Sequence, residues 1–140
     1  MQKDDFGNLA EWGRVLNQLA QLTRDGTIDE HQAGLVRLLH YPDNWRLREA
    51  ALEAIRHVRR PGEQLVTAVL ELMTDEHLYH ELRVLAAEAL ASLVAAGRAA
   101  GAGRNRELEQ AVLTQMHALL DAPHPPVLHQ AMRRILPTIE

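Results

Sequence analysis

A short stretch of this chain, Asn44 to Val58 (NWRLREAALEAIRHV), is written once, repeated closely and then echoed more faintly. Moving 35 positions on, Leu47, Arg48, Ala51, Glu53, Ala54 and Ile55 meet Leu82, Arg83, Ala86, Glu88, Ala89 and Leu90. At 81 positions, Leu128, His129, Ala131, Met132, Ile135 and Leu136 stand against Leu47, Arg48, Ala50, Ala51, Ala54 and Ile55. Self-similarity at such spacing marks supersecondary units that cannot bury their apolar faces alone and must stack. The repeat constrains architecture tightly and chemistry hardly at all.

The units read as helix pairs. Of the 140 residues, 46% are hydrophobic and only 4% aromatic, so the core must be built from interlocking Leu, Ala, Val and Ile, a helix-favouring set. One domain, 1–140, is the working assumption for a chain of this length. It divides into a capping helix over 8–26 and repeats over 27–61, 62–97 and 104–140. A net charge of −4 is the wrong sign for whole-domain attraction to phosphate. Without cysteine there are no disulfides, thiolate metal sites or cysteine nucleophiles. The N-terminus lacks the apolar segment of a secretory signal, and no apolar run approaches the ~18 residues of a spanning helix. A soluble protein of the cytoplasm is expected.

In chain order, Met1 to Gly7 should be loose, with order beginning near Asn8. Leu9, Trp12, Leu16, Leu19 and Ala20 then share one helical face up to Asp25 and Gly26. Core packing is expected of Trp12. Thr27 and Glu30 have the spacing of a capping box, opening a helix from Ile28 through Leu35, Leu38 and Leu39 to Tyr41 and Pro42. Asp43 is the expected cap of the next helix, whose stripe Leu47, Ala51, Ala54, Ile55 and Val58 stops at Pro61 and Gly62. In the second unit Leu65, Ala68, Val69, Leu72 and Met73 form one stripe and Leu82, Ala86, Ala89, Leu90, Leu93 and Val94 the other. The Gly-rich run Gly97 to Arg106 suits a flexible connection and explains the late third copy. Asn105 is placed to cap the sixth helix, which Pro123 ends, and Pro126 fits the first position of the seventh.

These residues resemble the HEAT-repeat family. Carrying the likeness are Pro42 and Asp43 followed by Leu47, Arg48, Ala51, Ala54 and Ile55, their echo Leu82, Arg83, Ala86, Ala89 and Leu90, and the degenerate Leu128, His129, Ala131, Ile135 and Leu136. The resemblance spans roughly Ile28 to Ile139 and implies an all-α fold: a short α-solenoid of three helix pairs with an N-terminal capping helix. It also implies that Arg48 and Arg83 brace turns, with His129 departing from the family's arginine. The family's functions are too varied for the likeness to choose one.

The residues offer three classes of chemistry. Glu76, His77, His80 and Glu81 form the densest histidine cluster, and on one helix His77, His80 and Glu81 would converge on an ion. The segment reads as a turn, however, and His124 and His129 lie a repeat away. The lone His80-Glu81 pair is similar to the motifs of the di-iron HEAT-repeat hydroxylase of deoxyhypusine, which carries several such pairs. Arg46, Arg56, Arg59, Arg60, Arg133 and Arg134, read as lying on the second helices, resemble the basic face of HEAT-like DNA glycosylases. Glu49, Glu53, Glu81 and Glu88 interrupt that face and break the positive stripe that phosphate neutralisation needs. Ser92 is the only serine, and it lies in a helix with no nucleophile-elbow context.

The expected function is therefore non-catalytic protein binding, on the inner face of the second helices and the rim from Tyr41 to Trp45. Its expected contacts are Tyr41, Trp45, Arg46, Glu49, Glu53, Arg56 and Arg60, with no metal or cofactor. Trp45 either seals its turn or anchors a partner. The alternatives are a nucleic-acid binder using the Arg56 to Arg60 cluster and, behind it, a metal-dependent enzyme. Open repeat ends also offer a surface for self-association.

Overall fold

A computed structural model describes residues 6–101 and 105–140, and the described chain is all-α. Its helices are α1 (Trp12–Asp25), α2 (Gln32–Leu39), α3 (Trp45–Ile55), α4 (Glu63–Thr74), α5 (His80–Ala100), α6 (Arg106–Asp121) and α7 (Pro126–Ile139), with one 3-10 turn at Ile28–His31. Helices α2, α4 and α6 pack successively in one row, and α1, α3, α5 and α7 in the other. Cross-row packing joins α2 to α3, α4 to α5 and α6 to α7.

The apolar stripes of both full repeats are buried: Leu47, Ala51, Ala54 and Ile55 on α3, Leu65, Val69 and Met73 on α4, and Leu82, Ala86, Ala89 and Leu90 on α5. Leu128, Ala131, Met132, Ile135 and Leu136 do the same on α7. Buried alanines leave no long side chain between helices, so backbones approach closely and the groove is filled by neighbouring leucines.

Several local expectations are corrected. Order begins before Asn8: Phe6 is buried in the core, and Arg37 Nη2 donates to the Gly7 carbonyl at 2.9 Å. The rest of the segment expected to be loose, residues 1–5, lies outside the described residues. Trp12 is 43% exposed, because α1 turns Val15 and Leu19 inward and leaves Trp12 and Ala20 outside. Gly26 ends α1 with φ 72°, the left-handed conformation that glycine adopts without a Cβ penalty. Thr27 makes no side-chain cap, so the capping box is not formed, and the tighter 3-10 turn takes the place of a first α turn. Asn44, not Asp43, caps α3, its Oδ1 accepting from Arg46 N at 3.0 Å. Asn105 caps α6 as expected, accepting from Leu108 N at 3.0 Å. The Gly-rich connection is shorter than its composition suggested: α5 runs through Gly97 to Ala100, since its alanines favour helix strongly enough to carry one glycine. Residues 102–104 of that connection lie outside the described residues.

Candidate functional site

Side-chain bonds fix how the row of α1, α3, α5 and α7 is oriented. Tyr79, the residue before α5, donates its hydroxyl to Glu49 Oε2 of the first α3 turns at 3.3 Å. Towards the other end, Arg56 Nη1 lies 3.7 Å from Glu88 Oε2, while Arg134 Nη2 of α7 donates to Glu88 Oε1 at 2.8 Å. The starts of these helices thus lie along one edge. Helix α1 runs the same way, since Thr23 and Gly26 at its end border the same recess as Arg56, His57 and Val58 at the end of α3.

Along the edge where the row begins, each helix leaves one large apolar side chain outside. Trp12 and Trp45 are the first residues of α1 and α3, Tyr79 immediately precedes α5, and Val127 is the second residue of α7. Among the described residues these are the large apolar side chains that stand exposed, at 43%, 53%, 40% and 40%. Arg46 lies over the Trp45 ring at 5.5 Å, a cation–π contact, and Trp45 still stands exposed. The Tyr79 phenol is pushed up to about 12, first by its partial burial, then by the Glu49 charge and hydrogen bond, with Glu81 adding and Arg48 opposing. It therefore stays a donor throughout the physiological range.

The expected contact residues are only partly brought together. Trp45 and Arg46 form one unit, Glu49 is joined to Tyr79, and Glu53 is exposed at the furrow between α1 and α3. Tyr41 is half-buried against the core and lines a recess with Asn8, Leu9 and Arg37 that Trp45 does not reach. Arg56 and Arg60 meet at the opposite end of the row, together with His57 and Arg59. They do not lie on a second helix: α3 stops at Ile55, Arg56 is its C-cap, and 57–62 is turn and loop. Tyr79 and Val127 are not among the residues expected from the sequence, and Glu88 figures there only as a break in the basic face. The 35-residue offset that pairs Tyr79 with Asn44 is the signal in the sequence that puts it at a helix start.

The histidine cluster does not assemble. His77 lies in the turn and His80 begins α5, while His129 Nε2 is 2.8 Å from the Ala122 carbonyl and His124 meets its ring edge-on. A carbonyl only accepts, so that nitrogen carries the proton. Among the described residues no group of three His, Asp or Glu is placed to hold a metal ion, and no helix is long and apolar enough to cross a membrane. No protein-family model matches the chain, and comparison with curated proteins and with solved structures likewise gave no match.

Proposed function

We propose that this chain is a non-catalytic protein-interaction module of the cytoplasm: a short α-solenoid of three HEAT-like helix pairs, capped by α1, that receives a partner on the face of α3, α5 and α7. The observation that carries this reading is the exposure of Trp45 in line with Trp12, Tyr79 and Val127, at the starts of four neighbouring helices. Rigid aromatic side chains on helix ends present large contact area at small entropic cost, and such residues dominate binding hot spots. Arg46 and Glu49 place both signs of charge beside them, which suits a protein partner better than a polyanion.

The test is crosslinked capture from native lysate with the wild-type chain beside a Trp12→Ala/Trp45→Ala variant of matched helicity. A protein retained by the wild type should fall at least tenfold with the variant. Equal retention by both, or retention by neither, overturns the reading. Sedimentation of the purified chain shows whether the retained protein is a second copy.

A further inference from the structure

The row's other end has a different chemistry. Helix α3 stops at Ile55 while its neighbour α5 continues to Ala100, so the last turns of α5 overhang the connection that follows α3. Beneath them lies a recess of about 550 Å³, walled by Ala96, Ala99 and Ala100 on one side and by the end of α1 on another. Its floor carries Arg56, His57, Arg59 and Arg60, and no acidic side chain lines it. Among the described residues, no ion pair involves His57, Arg59 or Arg60, and Arg56 has only the 3.7 Å approach to Glu88.

Two features separate this cluster from an ordinary solvated loop. First, its backbone is fixed from outside. Asp29 accepts from Arg59 N at 3.0 Å and from Arg60 N at 2.7 Å, and Gln32 bridges the Arg60 carbonyl and Gly62 N at 2.9 and 2.8 Å. Val58 is buried between them as an anchor. Second, the guanidinium groups are not used to cap helices. The carbonyls at the end of α3 are taken by Arg56 N, His57 N and Val58 N, and those at the end of α1 by Gly26 N and Thr27 N. A rigid loop therefore brings Arg56, His57, Arg59 and Arg60 to the lining of a small-walled space, and the nearest carboxylate, that of Asp29, is engaged by the backbone N–H groups of Arg59 and Arg60 and forms no ion pair with their guanidinium groups.

We infer that this recess binds a phosphate monoester. A phosphate brings about −1.5 to −2 charges and three acceptor oxygens, against a single charge for a carboxylate, and guanidinium forks pair with it bidentately. A long polyanion fits less well, because Glu53 and Glu63 stand next to the recess and would repel the phosphates that follow. The site shares Arg56 and Arg60 with the residues first expected to meet a partner, yet it stands on its own observations and is independent of the aromatic edge.

Amide NMR titration tests it, using inorganic phosphate, a phosphoserine heptapeptide, the same peptide with glutamate in place of phosphoserine, and a short DNA duplex. Saturable shifts of residues 56–62 and 96–100 should appear with phosphate and phosphopeptide and be at least tenfold weaker with the glutamate peptide. The phosphopeptide binding more tightly than phosphate identifies a modified protein as the source; equal binding identifies a small ester. Arg59→Gln/Arg60→Gln should weaken binding at least tenfold, and Ala99→Glu, which places a carboxylate in the wall and leaves the arginines intact, should abolish it. Absence of saturable shifts, equal affinity for the glutamate peptide, undiminished binding by the folded variants, or tighter binding of the duplex would each overturn the inference. The peptide comparison is made on the wild-type chain, so it decides the matter even where a variant fails to fold.

Discussion

The turn from α2 to α3 and the turn from α4 to α5 have the same length and are followed by an arginine at the same repeat position, yet the two arginines behave differently. Arg83 is 1% exposed, and its Nε donates to the Met73 carbonyl at 2.8 Å. Arg48 is half-exposed and makes no such bond, its Nε having no hydrogen-bond partner; each of the two arginines thus keeps one buried nitrogen unpaired, Nε in Arg48 and Nη2 in Arg83. The cause lies in the turns. After α2, Tyr41 N closes back on the Leu38 carbonyl at 3.2 Å, so the equivalent acceptor is already taken. After α4, the turn uses Asp75 to accept from His77 N, and the Met73 carbonyl is left for a side chain. The third unit uses a different carbonyl: its turn is rich in proline, which has no N–H to give, and His129 at the arginine position fills the Ala122 carbonyl just past the end of α6. The helix-end carbonyl that the backbone leaves open decides whether this position becomes a brace.

If the units differ only in their turns, their cores should respond alike. Leu90→Ala and its equivalent Ile55→Ala should each cost about 2–5 kcal/mol in urea unfolding, because both side chains are wholly buried. A cost near zero for either would break the equivalence of the two repeats. The arginines should separate next: Arg83→Ala leaves a void and an unanswered carbonyl and should cost roughly 2–4 kcal/mol, whereas Arg48→Ala should stay below about 1 kcal/mol. Equal costs would remove the distinction drawn between the turns.

Smaller effects are expected at the helix starts. Asn44→Ala should lose about 1 kcal/mol by removing the α3 cap, while the equivalent Tyr79 makes no cap and is joined to Glu49 instead. The Tyr79 titration, followed by ultraviolet absorbance, should have its midpoint near 12, above the ordinary 10.0. Because the folded value is raised, the stabilisation tied to the neutral phenol is complete below pH about 10 and is lost as pH climbs through the folded value. Glu49→Gln should bring the midpoint back towards its ordinary value by removing the neighbouring charge. A midpoint unmoved by that substitution would show that burial alone raises it.

Much of the helical plan was legible because it depends on local periodicity. Apolar residues spaced along α4, α5 and α7 fix which stripe turns inward, and nearly every residue assigned to those stripes is buried. Of the candidate surface, only the Trp45 and Arg46 corner and the presence of a basic cluster could be read in advance. How far Tyr41 is covered could not be read, because its burial depends on what packs beside it. The common edge of Trp12, Trp45, Tyr79 and Val127 was hidden because those residues are far apart in the chain and share no period.

Sequence alone determined an all-α chain with a repeated helix pair, since 3.6-residue periodicity, turn residues and the absence of competing strand patterns are properties of neighbours along the chain. Tertiary structure decided which Trp is outside, which arginine braces a turn, and that α5 overhangs the shorter α3 to make a basic recess. Those outcomes depend on relative helix lengths, on which carbonyls the turns leave unpaired, and on how neighbouring helices cover one another. They involve contacts between residues tens of positions apart, and the geometry of such contacts is set only when the rows are packed.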